Sequence, residues 1–159
     1  MMNSNNTLLT CLPPPSIDDG SNSKPAKDAN LPRLRVLLLE DNVELAELLR
    51  LIFETWGFQP RVSHLGREAS RLLEEQEFCL ALVDIDLPDT NGFEVVAGAL
   101  AQGRLQNTKI IFFSGEPSDD RVTMARQFPG SVFVPKPFEM HNLLPLIQRL
   151  LRTELICSQ

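Results

Sequence analysis

The sequence predicts an α/β domain on a five-stranded parallel sheet of order 2-1-3-4-5 with helices on both faces, and three observations support this. From Leu34 onward, short apolar runs alternate with amphipathic stretches of helical period, the pattern of repeated β-α units. Three runs, Val36-Leu37-Leu38-Leu39, Leu80-Ala81-Leu82-Val83 and Ile110-Ile111-Phe112-Phe113, are proline-free and apolar throughout, as strands covered on both faces must be. The other two strand candidates contain Pro60 and Pro135. Proline cannot donate to a ladder, so these two belong at the sheet edges, and the order 2-1-3-4-5 satisfies both constraints.

The elements follow in turn. Strand Leu34 to Glu40 leads into a helix from Val43 to Trp56, whose polar positions Glu44, Glu47, Arg50 and Glu54 leave a wide apolar face; Gly57 is a natural residue to end it. Strand Phe58 to His64 and a helix from Arg67 to Gln76 come next, then the central strand Phe78 to Asp84 and a helix from Phe93 to Gln102. Strand Lys109 to Ser114, a short helix from Asp119 to Gln127 and strand Val132 to Val134 precede a last helix ending near Arg152. That helix carries Leu143, Leu144, Ile147, Leu150 and Leu151 on one stripe, and Pro145 is expected to delay its start or bend it, because proline removes one N–H.

A chain of 159 residues is one domain's worth, placed here at residues 33–153, with a short tail at 154–159. Residues 1–32 are rich in Asn, Ser, Asp and Pro and lack an apolar period, which reads as a disordered or partner-binding extension. Leu8-Leu9-Thr10-Cys11 lacks the basic start of a secretory leader, and no run reaches the ~18 apolar residues of a membrane span. A net charge of −6 with scattered basic residues argues against direct nucleic-acid binding. Cys11, Cys79 and Cys157 are odd in number and unrelated in spacing, so neither a disulfide framework nor a zinc site is expected, and a reducing cytoplasm is the natural setting.

Charged residues stand where three of the apolar runs end: Glu40-Asp41, Asp84-Ile85-Asp86 and Lys136. In an open parallel sheet the carboxyl ends of the strands form the ligand crevice, and the order 2-1-3-4-5 puts strands 1 and 3 at the topological switch point. Clustered carboxylates disfavour one another's ionisation unless a cation compensates, and Mg²⁺ suits an all-oxygen site. Asp41 and Asp84 are the candidate direct ligands, with Glu40 acting through a water; Asp84, lying centrally, is the candidate nucleophile toward phosphorus.

Glu40-Asp41, Asp84-Ile85-Asp86-Leu87-Pro88 with Asn91-Gly92, Ser114-Gly115 and Lys136-Pro137 together resemble the receiver domains of two-component response regulators, over residues 34 to 151. The resemblance implies a flavodoxin-like (βα)5 fold in which Asp84 accepts a phosphoryl group from a histidine kinase or histidine phosphotransfer protein. It implies Mg²⁺ held by Glu40, Asp41, Asp84 and the backbone carbonyl of Asp86, with Ser114 bonding the phosphoryl group and Lys136 pairing with it. Phe133 falls at the family's aromatic switch position; without a hydroxyl, it is expected to work by ring packing. Asp86 and Glu116 match the two variable positions that tune phosphoryl lifetime. Such a protein is not an enzyme beyond Mg-dependent self-phosphorylation and autodephosphorylation. With few residues after Arg152, output is expected through protein contact, phosphate relay or the N-terminal arm, and pairing of two copies through helix 4, strand 5 and helix 5 is a further expectation.

Plainer readings stand beside these. Glu40-Asp41-Asn42 also suits a helix cap, and Asp86, Asp89 and Asn91-Gly92 a turn. His64 and His141 read as surface residues, Cys79 as a small buried hydrophobe, and Trp56 as packing. Asp84-Ile85-Asp86 also resembles the opening motif of haloacid-dehalogenase-type phosphatases, but Pro88 and the upstream acidic pair depart from that pattern. A receiver-like scaffold that works without phosphate is the remaining alternative.

Overall fold

The computed structural model describes residues 34–156, with side chains to Arg152; the expectations for residues 1–32, Cys157 and the chain end lie outside the described residues. Five β-α units follow one another: β1 (Arg35–Leu39), α1 (Val43–Thr55), β2 (Gln59–Ser63), α2 (Gly66–Glu75), β3 (Leu80–Asp84), α3 (Gly92–Ala101), β4 (Lys109–Ser114), α4 (Asp119–Arg126), β5 (Ser131–Pro135) and α5 (Met140–Ile156). The strands form one parallel sheet of order β2-β1-β3-β4-β5, so the two proline-bearing strands are its edges. β1 and β3 are direct neighbours, with Leu39 opposite Val83, which leaves Glu40 and Asp84 at adjoining strand ends.

Alternation along the central strands divides the core in two. Val36, Leu38, Leu80, Leu82, Ile111 and Phe113 face α1 and α5, meeting Leu49, Phe53, Leu143, Ile147 and Leu151. Leu37, Leu39, Ala81, Val83, Ile110 and Phe112 face α2, α3 and α4, meeting Ala69, Leu73, Val95, Val96, Ala99 and Ala125. Phe53 and Phe112 are fully buried. Each such side chain contributes about 1.5–3 kcal/mol of burial energy. Trp56 rests edge-on against Phe53 at 5.3 Å between centroids, as expected of a packing residue.

Local chemistry sets the helix ends. The Asn42 side chain accepts from the Leu45 amide at 3.0 Å and caps α1, so capping falls to Asn42 and leaves the two preceding acids for other work. Gly57 ends that helix with φ of +89°, a conformation that favours glycine. The expected delay of α5 at Pro145 is not observed: the helix begins at Met140 and contains the proline in its second turn. Pro145 is the sixth residue of the helix, so its missing N–H forfeits one intrahelical bond, while buried Leu143 and Ile147 hold the flanking turns. Cys79 is only half-buried just before β3, its thiol donating to the Arg35 carbonyl at 3.3 Å, so it is less enclosed than a core hydrophobe.

Candidate functional site

The turns after β1, β3, β4 and β5 converge at the carboxyl edge of the sheet. Glu40 is fully buried there and Asp84 is 3% exposed, whereas Asp41 lies exposed beside them. Each of the three offers a carboxylate oxygen within 4.8 Å of the others, an all-oxygen donor set. Lys136, arriving from the end of β5, donates from Nζ to Glu40 Oε2 at 2.7 Å and to Asp84 Oδ2 at 2.9 Å. Its ammonium also sits 4.7 Å from the centroid of the Phe113 ring, a cation–π contact. The remaining oxygens are engaged by backbone: the Asn42 amide donates to Glu40 Oε1 and the Asp86 amide to Asp84 Oδ1, both at 2.9 Å.

This burial perturbs titration. Desolvation pushes Glu40 up to about 7 against the hydrogen bonds from Lys136 and Asn42, and the neighbouring Asp84 charge adds to the rise. Asp84 is also raised by burial, with Lys136 and the Asp86 amide opposing. Burial disfavours the Lys136 ammonium, but its bonds to Glu40 and Asp84 outweigh that and hold its pKa above the ordinary lysine value. One cation thus serves two buried carboxylates, leaving an excess of negative charge.

The loop after β3 is held at both ends. Asp86 and Asn91 form an antiparallel bridge, Gly92 donates its amide to the Ile85 carbonyl at 2.9 Å, and Asn91 caps α3 through the Phe93 amide at 2.8 Å. Asp89 accepts from the Gly66 and Arg67 amides at 2.9 and 3.0 Å, joining the loop to the start of α2. The turn-forming reading of Asp89, Asn91 and Gly92 therefore describes their contacts. Asp86 does more, as its side chain turns toward β4 and α4.

Ser114, fully buried at the end of β4, donates to Asp86 Oδ2 at 2.7 Å and accepts from the Glu116 amide at 3.1 Å. Arg121, in the first turn of α4, meets Asp86 through two parallel bonds, Nη2 to Oδ1 at 2.7 Å and Nη1 to Oδ2 at 2.8 Å, and also donates from Nη1 to Ser114 Oγ. The Arg121 guanidinium is the main cause of a lowered Asp86 pKa. Sequence reasoning missed Arg121. No sequence signal marked it, since Asp119 and Asp120 in the same first turn already offset its charge against the helix macrodipole.

The expected residues Glu40, Asp41, Asp84, Asp86, Ser114 and Lys136 thus gather at one edge. Phe133 lies apart from them, half-buried on β5 opposite Phe112 and packed against the α2-α3-α4 core. His141 is on the surface as expected. His64 is not: it is half-buried, and Nδ1 lies 2.8 Å from the Glu40 carbonyl oxygen. A carbonyl can only accept, so Nδ1 carries the proton and fixes the backbone beneath the acid cluster.

Comparison with known proteins extends this picture. The family model described as the response regulator receiver domain matches residues 36–148. The chain is 33% identical over 119 residues to the transcriptional regulatory protein CpxR of Escherichia coli (strain K12), covering 74% of this chain and 49% of that protein. It is 31% identical over 117 residues to the transcriptional regulatory protein GltR of Pseudomonas aeruginosa, covering 74% and 48%. The chain therefore spans about half the length of the curated relatives it matches. Among solved structures, a CheY-like receiver domain protein from Methanospirillum hungatei JF-1 superposes with a TM-score of 0.71 at 25% identity, covering 80% of this chain and 100% of that one. The chemotaxis protein CheY4 of Vibrio cholerae gives 0.69 at 23%, covering 75% and 99%, a likeness of fold.

Proposed function

The chain belongs to the response regulator receiver family of two-component systems, and from that premise we propose that it accepts a phosphoryl group on Asp84 and signals by the surface change that follows. The observation that carries this reading is a nearly buried carboxylate at the switch point, bonded to Lys136 and adjoined by two further acids. An Asp84 carboxylate oxygen attacks the phosphorus of a phosphohistidine on a histidine kinase or histidine phosphotransfer protein. The P–N bond breaks, its electron pair stays on the imidazole, and a mixed anhydride forms on Asp84.

Lys136 is positioned to pair with the added phosphoryl oxygens as it now pairs with Asp84. Ser114 can supply a hydroxyl donor once it leaves Asp86. The all-oxygen cluster fits Mg²⁺: Asp41 and Asp84 would hold it directly, with the Asp86 backbone carbonyl as a further ligand. Both Glu40 oxygens already accept hydrogen bonds, which suits a role through water. When bound, the ion supplies positive charge against the equatorial phosphoryl oxygens.

The signalling unit is residues 33–153, flanked by segments 1–32 and 154–159, and its setting is the cytoplasm. The new dianionic charge biases a two-state packing equilibrium in which Phe133 shifts against its neighbours, and an output protein reads the face of α4, β5 and α5, through which two copies also pair. Among the described residues no helix is long and apolar enough to cross a membrane.

Incubation with Mg²⁺ and acetyl phosphate, followed by intact mass, tests the proposal. Wild type should gain one phosphoryl group that depends on Mg²⁺ and is lost in Asp84→Asn. Absence of an adduct in folded wild-type protein would favour a phosphate-independent scaffold.

A further inference from the structure

Ser114 is committed in this structure to partners other than Asp84. Its single hydroxyl proton goes to Asp86 Oδ2, and its oxygen accepts from Arg121, which is itself forked onto the same carboxylate. Asp86, Ser114 and Arg121 come from the β3-α3 loop, the end of β4 and the first turn of α4, so three separate elements are tied at the rim of the acid cluster. Arg121 is 26% exposed and Asp86 45% exposed, so the fork is accessible to competition. Asp84 and Glu116 also act on Arg121 electrostatically, which places the guanidinium within the field of the acceptor.

We propose that Arg121 is a latch that holds α4 to the resting position of Ser114, so that the serine's turn toward a phosphoryl group is transmitted to α4 through a broken hydrogen bond. The inference rests on Asp84 accepting a phosphoryl group. A serine hydroxyl has one proton, so bonding to a phosphoryl oxygen requires it to leave Asp86. Once the side chain rotates, the bond from Arg121 to Ser114 Oγ is lost, and the first turn of α4 is anchored to the loop by Asp86 alone. The latch links Ser114 to α4 directly, beside any shift of the Phe133 ring. Because it favours the resting arrangement, it must also lower affinity for anything that draws Ser114 inward, by the reciprocity of linked equilibria.

The test replaces both ends of the fork at once. Arg121→Gln with Asp86→Asn removes the ion pair while keeping the summed charge of the two positions at zero, so the field at Asp84 is little altered. Beryllofluoride with Mg²⁺ serves as the phosphoryl mimic, read by titration and by backbone amide NMR of residues 119–126. Wild type should bind the mimic with displacement of the α4 amides. In the double variant, the unliganded α4 amides should already lie part-way toward their liganded positions, and the mimic should bind roughly 1.5- to 5-fold tighter, the scale of one partly exposed ion pair. Arg121→Lys, which keeps the charge but loses the fork, should fall between. Resting α4 amides and affinity equal to wild type, or weaker binding, would overturn the latch while leaving phosphoryl acceptance intact. Failure of wild type itself to bind the mimic would overturn both.

Discussion

Glu40 is where burial and charge conflict most in this molecule. Its pKa stands near 7 in the folded chain against an ordinary 4.5, so between those values the folded protein holds a proton that the unfolded chain has released. The contribution of Glu40 to the stability of the metal-free protein is therefore fully present below the unfolded value and is lost as pH rises through that window, with raised Asp84 adding in the same direction. Urea unfolding in chelator from pH 5 to 8 should show this decline, flattened in Glu40→Gln, and Mg²⁺ should oppose it by favouring the ionised carboxylates. A pH-independent midpoint would contradict the assignment. The residues of this cluster were legible in the sequence because each stands at the end of an apolar run, where topology alone brings them together. Arg121 and His64 were not: their roles depend on side-chain reach across elements, which no period or spacing encodes.

At the scale of elements, the β3-α3 connection has least room for change. A Cβ on Gly92 would lie 2.3 Å from the Asp84 carbonyl oxygen and 2.9 Å from Val83 Cγ1, against backbone that cannot swing aside. Gly92→Ala should cost about 1–3 kcal/mol in chemical unfolding, as other overpacked sites do, and should slow labelling of Asp84 by displacing its backbone. Gly66 is a useful contrast, since its nearest obstacles are the side-chain atoms Thr90 Cγ2 and Val95 Cγ2 at 2.2 and 2.9 Å. Gly66→Ala should destabilise less and leave labelling closer to wild type. Strand order could be inferred because proline chemistry separates edge from centre, as Pro60 and Pro135 did. The course of α5 could not, because the cost of Pro145 depends on how near the helix start it falls, and that start is fixed by tertiary anchoring of Leu143 and Ile147.

Across the whole molecule, stability and chemistry reside in different layers. The two apolar layers on either face of the sheet hold the strands in register, and the polar edge uses that register to set Asp84 beside Glu40. Phe112→Ala, which empties a fully buried site packed with Phe93 and Phe128, should cost about 3–5 kcal/mol without removing any group of the site. At temperatures where that variant remains folded it should still accept a phosphoryl group, as a labelling assay paired with a melting curve would show. The fold was readable because three apolar strands and two proline-marked ones admit few orders; the tie that joins Ser114 and Asp86 to α4 through Arg121 was not, since it depends on side-chain contacts among three separate elements. The most direct test of the central claim is the position of the phosphoryl adduct: after labelling with acetyl phosphate and Mg²⁺, borohydride reduction converts an aspartyl phosphate to homoserine, which peptide mass spectrometry locates. Homoserine at position 84 alone is the expected result; homoserine at another acid, or at none, would contradict the account.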